Sequence, residues 1–329
     1  MNNLMESKAL EALTELVRAK IDGATGKWEK PFKWIENPKP PKNVFSKTGY
    51  NGFNLLLLAL VGDRKGYTCS GWGTFKQYSD NGVFVKKGEK GVPIMYWNLE
   101  TIRVDNPKDK ITLDEYNQLN DWEKEQFKQR ISFKEYTVFN VAQTNMKTEK
   151  PELYEKIASG LDVSALFRND ETGMYKNEEL DLMVAEQTFI CPIEVKNSKE
   201  AYYNVTMNSI TMPLKCQFTG GELYYSTLAH ECAHATKVPL KREAGGKFGS
   251  PEYAREELVA EIGAALTGMK LGFSTTIENE NAQYLKGWEE ALKDEDKKSK
   301  TFLYEVVRDA VKASEVIIDR AANKAELVA

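Results

Sequence analysis

Only two histidines occur in the 329 residues, and both fall in one pentapeptide, His230-Glu231-Cys232-Ala233-His234. Residues four apart share one face of an α-helix, so both imidazoles can grip a single metal ion. Glu231 lies between them, where it can take a proton from a metal-bound water. A hydrolytic zinc site uses three protein ligands and keeps one position for water. No third histidine exists, and Cys232 sits on the opposite side of the helix, so a carboxylate must complete the set. The best source is Glu256-Glu257-Leu258-Val259-Ala260-Glu261, with Glu257 lying 23 residues beyond His234. Glu257 is the expected ligand of one zinc ion, with Glu256 as its rival. Glu261 is the expected acceptor for a histidine N–H.

These residues need two helices held close together. Residues 223–236 read as the helix bearing both histidines. Beyond a glycine-rich loop at 245–249, Ser250 can cap a second helix with Pro251 at its first position, and Gly272 stops it. Ala260, Ala264 and Gly268 share the face of Glu257 and Glu261, and small residues there let the two helices approach. Strands are expected at 190–195, 201–205 and 210–212, and further helices near 152–159, 177–187, 281–293 and 302–323.

The first half reads differently. A helix is expected over 8–21 from the spacing of Leu10, Leu13, Val17 and Ile21. A proline-rich extended stretch follows at 31–41, then a helix at 54–60 and short strands at 83–85, 93–97 and 136–141. Thr112-Leu113-Asp114-Glu115 is a capping box that opens a polar helical insertion over about 112–130. The charged stretch 144–152 reads as a linker. The fold class is therefore α+β in two domains, a small β-rich one over 1–147 and a second over 148–329.

Charge divides the same way. Residues 27–97 carry twelve Lys/Arg against five Asp/Glu, although the whole chain has a net charge of −4. The same stretch holds thirteen aromatic residues. Lysines for phosphates beside aromatic faces for bases are what a single-stranded nucleic-acid binder needs. Lys76, Lys86, Lys87 and Lys90 cluster in sequence around Trp72, Phe75 and Tyr78, and the basic turn 86–91 is flanked by glycine. At least half of the aromatics, Trp28, Trp34 and Trp97 among them, are expected in the core. No helix-turn-helix or zinc finger is present, which argues against sequence-specific duplex reading. No apolar run reaches the roughly 20 residues of a membrane span, and no secretory signal is read at the N-terminus. Four dispersed cysteines fit a reducing cytoplasm.

Several separated runs, in order, carry a resemblance. Tyr50-Asn51-Gly52-Phe53-Asn54, Trp72-Gly73-Thr74-Phe75-Lys76-Gln77, Lys86-Lys87-Gly88-Glu89-Lys90-Gly91 and Val138-Phe139-Asn140-Val141-Ala142-Gln143 resemble the N-terminal DNA-binding domain of ArdC-type antirestriction proteins. Ile210-Thr211-Met212-Pro213, Tyr224 to Glu231 and Tyr253 to Glu261 resemble the zincin-like peptidase domain of the same family. The resemblance implies a mobile-element protein that binds single-stranded DNA and blunts restriction, with Tyr50 and Asn54 joining the DNA-binding set. The chain departs from the family pattern at Ala235 and Asn208, and the insertion at 112–130 looks like an addition. Two readings follow: an active zinc peptidase tethered to a single-stranded-DNA-binding domain, or a DNA-coating protein whose peptidase fold serves structure or docking alone. Glu231 favours the first, because a structural metal site needs no general base. The polar linker predicts that the two halves act independently.

Overall fold

The structure is a computed structural model that describes residues 6–25, 32–33, 40–160, 168–242, 250–273, 276–277, 288 and 297–322. Trp28, Trp34, the glycine-rich stretch at 245–249 and all of the expected helix at 281–293 but residue 288 lie outside the described residues.

Helix α1 (Lys8–Thr25) buries Leu10, Leu13, Val17 and Ile21, as its spacing requires. Its first turn is held from far along the chain, since Glu135 accepts hydrogen bonds from Ser7 Oγ at 2.7 Å and Ala9 N at 3.0 Å. A carboxylate there also complements the positive end of the helix. Helix α2 (Gly52–Lys65) is longer than the sequence predicts and ends on Gly66 in the left-handed conformation. Leu55 through Leu60 are all buried, so α2 is apolar all round and runs through the interior.

Five strands form the first sheet: β1 (Lys42–Asn43), β2 (Gly71–Thr74), β3 (Val92–Arg103), β4 (Lys110–Ile111) and β5 (Phe127–Asn140), in the order β1-β2-β5-β3-β4. Strands β3 and β5 pair antiparallel from Val92↔Val138 to Arg103↔Phe127 and make a long ribbon. Helix α3 (Phe75–Asp80) follows β2 directly, opened by a capping box between Thr74 and Gln77.

The insertion departs from expectation. It is the tip of the β3–β5 ribbon, with two short helical segments, Leu113–Gln118 and Asp121–Lys124, and strand from Phe127 onward. A second capping box at Asn120/Glu123 restarts the chain after one short segment, and the stretch has no apolar stripe to sustain a longer helix. Nor is 144–152 a free linker. Val141 and Met146 are buried in a small cluster with Tyr78 and Val83.

The second half carries a three-stranded sheet of β6 (Ile193–Lys196), β7 (Tyr202–Asn204) and β8 (Ser209–Pro213) in the order β7-β8-β6, with β7 antiparallel and β6 parallel to β8. Helix α4 (Gly221–Ala235) lies against it, α5 (Pro251–Leu271) packs on α4, and α6 (Lys297–Ala322) packs on α5. Gly221 is required at the start of α4, because a Cβ there would sit 2.2 Å from the Tyr175 carbonyl oxygen. Ser250 caps α5 by accepting from Tyr253 N, Pro251 occupies its first turn, and left-handed Gly272 ends it.

The two domains share a core. One cluster joins Leu13 and Val17 of α1, Leu55–Leu60 of α2, Trp72, Val92 and Val138 of the sheet, Leu258, Val259, Ile262 and Leu266 of α5, and Leu303, Val306 and Val307 of α6. A second cluster lies under α4, with Ile193, Ile210, Met212, Tyr225, Leu228, Ala260, Ala264 and Ile317. Helix α5 therefore faces both halves. The polar stretch predicts little apolar surface between the halves, but they are joined by helices distant from it in sequence.

Candidate metal centre and nucleic-acid face

His230 and His234 lie one turn apart on α4, and their Nε2 atoms are 3.0 Å from each other. Glu257 reaches both from α5, at 3.5 Å from His230 Nε2 and 3.6 Å from His234 Nε2. Ligands about 2.0–2.1 Å from a tetrahedral ion stand about 3.3 Å apart, and the observed separations bracket that value.

The outer nitrogens are held too. Glu261 lies 3.4 Å from His230 Nδ1, and Glu256 lies 3.5 Å from His234 Nδ1. A proton on each Nδ1 can point at these carboxylates, which leaves each Nε2 beside the Glu257 carboxylate. Three electron-rich groups then converge on one point, which is stable only around a cation or shared protons. The donor set fits a divalent metal.

Charge follows geometry. Burial lowers the affinity of His230 for a proton, but the charge of Glu261 and the hydrogen bond to Glu257 outweigh it and leave the pKa raised. For His234, burial is likewise outweighed by Glu256 and Glu257, and the pKa rises to about 10. Burial would raise the Glu257 pKa, yet the two imidazoles hold it well below the carboxylate range. Glu256 is lowered to about 2 by His234 and Arg242 against the same burial effect.

Glu231 is buried on α4 at 8 % exposure, and its charge also favours the protonated form of His234. Cys232 is fully buried on the core side of α4, as expected, and burial raises its pKa. Glu256, the rival ligand, is instead bound to Arg242. Arg242 escapes sequence reasoning, because nothing in its spacing marks it.

The DNA candidates divide. Phe75 is 58 % exposed and meets Phe139 edge to face at 6.5 Å. Lys76, Lys86, Lys87 and Lys90 are exposed, and Lys86 Nζ donates to Ala142 O. The 86–91 turn is moored by Gln143, whose Nε2 donates to Glu89 Oε2 and Lys90 O. Phe139 lies directly over Gly91, where a Cβ would come within 2.9 Å of its ring. Phe84, also 58 % exposed, was not singled out from sequence.

As with Tyr78, which is 0 % exposed, Trp72 needs correcting, since it is 1 % exposed and offers no face to a base. Its large apolar surface gains more from the shared core than from solvent. Asn54 also serves the fold, because its amide accepts from Met95 N and donates to Met95 O, tying α2 to β3. Tyr50 packs against the shared core, and burial raises its pKa.

Residues 7–139 match the N-terminal domain of anti-restriction factor ArdC, and residues 178–301 match a zincin-like metallopeptidase domain. The fold resembles the crystal structure of the antirestriction ArdC protein from plasmid R388 in its metal-free form, with 28 % identity, a TM-score of 0.66 and coverage of 95 % of this chain and 98 % of that one. The Mn(II)-bound form of that protein matches with 26 % identity, a TM-score of 0.63 and coverage of 96 % and 99 %. Protein y4eC of Sinorhizobium fredii is 28 % identical over 289 residues, covering 86 % of this chain and 84 % of that protein. The DNA primase TraC of Escherichia coli is 28 % identical over 290 residues, and this chain spans only 25 % of its length. Among the described residues, no helix is long and apolar enough to cross a membrane.

Proposed function

The chain belongs to the ArdC-type antirestriction family, and from that premise we propose that it is a single-stranded-DNA-binding protein carrying a zinc-dependent peptidase centre. In this reading residues 1–147 hold the DNA and residues 148–329 do the hydrolysis. His230, His234 and Glu257 are the metal ligands, Glu231 is the general base, and Glu256 and Glu261 orient the imidazoles. The observation that carries the proposal is the convergence of two Nε2 atoms and one carboxylate, each imidazole backed by a second carboxylate at Nδ1.

A divalent ion held by His230, His234 and Glu257 would supply Lewis acidity toward a bound water and a scissile carbonyl. The Glu231 carboxylate accepts the proton of the attacking water and returns it to the leaving amine nitrogen. The buried, carboxylate-lined pocket keeps both imidazoles in one tautomer, so the ligand geometry is set before substrate arrives. Zinc suits the nitrogen-rich donor set. The R388 relative is described with Mn(II).

On the other domain, Phe75 and Phe139 offer ring faces and edges, and Lys76, Lys86, Lys87 and Lys90 supply phosphate contacts. Stacking on such rings tolerates any base, and lysine contacts weaken with salt. The arrangement supports binding without sequence preference.

Two variants test the centre. Glu231→Gln is expected to keep its metal and lose metal-dependent proteolysis of nucleic-acid-processing proteins, assayed with and without single-stranded DNA. Glu257→Ala is expected to lose the metal as well. Full metal content in Glu257→Ala, by elemental analysis, would overturn the ligand assignment. Unchanged turnover in Glu231→Gln would remove the general base, and absence of turnover in the wild-type chain would favour a DNA-coating role.

A further inference from the structure

Arg242 stands outside every motif, yet its side chain is only 3 % exposed. Its guanidinium donates to four acceptors. Nη2 meets Glu256 Oε1 at 2.7 Å, Nε meets Glu256 Oε2 at 3.2 Å, Nη1 meets Thr236 Oγ1 at 2.7 Å, and Nη2 also meets Ala233 O at 2.8 Å. The first two bonds form a fork on α5. The other two grip the end of α4, one residue to either side of the His234–Ala235 pair.

We propose that Arg242 is a positioning residue for the metal centre, acting on His234 through Glu256. The inference rests on the metal-centre reading above. Glu256 is adjacent in sequence to the expected ligand Glu257, so an unpaired carboxylate there would be free to rotate toward the same cation. Held in the fork, it presents Oε1 to His234 Nδ1 instead. That contact fixes the Nδ1–H tautomer and turns the Nε2 lone pair toward His230 and Glu257. A guanidinium suits this role, because its planar fork matches both carboxylate oxygens at once and keeps its charge when buried. Arg242 thus separates two neighbouring glutamates into one ligand and one orienting group.

The alternative is that Arg242 merely closes the end of α4 through Ala233 and Thr236. A double-variant cycle on the full chain separates the two. Metal-free wild type, Arg242→Gln, Glu256→Gln and the double variant are titrated with Zn(II) and Mn(II) against a competing chelator. Each single change is expected to weaken binding by about tenfold or more, within the range for orienting partners of metal ligands. The double variant should be no weaker than the weaker single by more than about twofold, because both act through one contact. Arg242→Lys, which keeps charge but loses the fork, provides a second variant should Arg242→Gln fold poorly. It should bind metal more weakly than wild type, and the zinc-loaded form should lose the slowly exchanging His234 Nδ1 proton from its NMR spectrum. Losses that multiply in the double variant, or a wild-type affinity with an unchanged Nδ1 proton in Arg242→Lys, would overturn the assignment to Arg242 alone. A wild-type chain that binds neither ion would overturn the metal-centre reading with it.

Discussion

His230, His234, Glu256, Glu257 and Glu261 all have partners within 3.6 Å, so protons and metal compete for the same atoms. In the metal-free chain the His234 pKa is raised to about 10 and that of His230 is also raised, against an unfolded value of about 6.5. The folded form therefore binds more protons above pH 6.5, and that stabilisation is lost as pH rises toward 10. The metal-free protein should melt at a lower temperature at pH 9 than at pH 6.5, whereas a metal-loaded sample should lack this decline. Thermal unfolding of both forms at the two pH values checks it, and a decline of equal size with metal bound would show that the histidines are not the cause. The aromatic residues invite a paired comparison. Phe75→Ala should reduce single-stranded-DNA affinity by about 1–3 kcal/mol with little loss of stability. Trp72→Ala should cost about 3–5 kcal/mol of folding stability, because it empties a core site. Oligonucleotide titration and denaturant unfolding of both variants decide which residue touches DNA.

The helices meet through small residues. Gly263 on α5 faces Ala233 of α4 and Ala313 of α6, and a Cβ built on it would lie 3.3 Å and 3.7 Å from their Cβ atoms. The spacing along the chain points to Ala260, Ala264 and Gly268 for the close approach. All three are buried in α5, but Gly263 is where three helices come together. Gly263→Val should wedge α4 from α5, destabilise the fold by about 1–3 kcal/mol and weaken metal binding, since His234 and Glu257 sit on the separated helices. Chelator competition and unfolding measured on the same sample test both parts. A stability loss with unchanged metal affinity would mean the ligand ends of α4 and α5 are fixed independently of their middles.

At the scale of the whole molecule, the shared core overrides the modular picture. Residues Leu55–Leu60 of α2 pack in one cluster with α5 and α6, so a fragment of residues 1–147 would expose that surface. Asn51 and Lys270 form a further contact across the two halves, and Gly52 lies 3.4 Å in Cβ terms from Val311 of α6. The isolated fragment is expected to be unfolded or aggregated. The full chain should unfold in one calorimetric transition, and metal at about 100 times its dissociation constant should raise its stability by about 2.7 kcal/mol. Two separate transitions, or a folded and DNA-binding fragment, would restore the picture of independent halves.

The pentapeptide at 230–234 was legible because helical geometry is local: a spacing of four fixes one face whatever the rest of the chain does. The shared face of Glu257 and Glu261 followed from the same periodicity, and the structure sets their carboxylates 3.4–3.6 Å from imidazole nitrogens. The caps at Ser250, Gly272 and Thr112 were equally local, since each depends on a few neighbouring backbone groups. What lies between elements was not legible. Lysine and phenylalanine near each other in sequence left open which ring would be buried, and only packing separated Trp72 from Phe75. Asn54 looked like a binding residue until β3 lay alongside it. Arg242 became visible only when the end of α4 and the start of α5 converged on its side chain. The division into domains was read from a polar stretch, but α6, from the far end of the chain, closes one core over both halves. Sequence determined the chemistry that each helix can offer, and tertiary structure decided which groups share a site, because contacts between distant segments leave no periodicity along the chain.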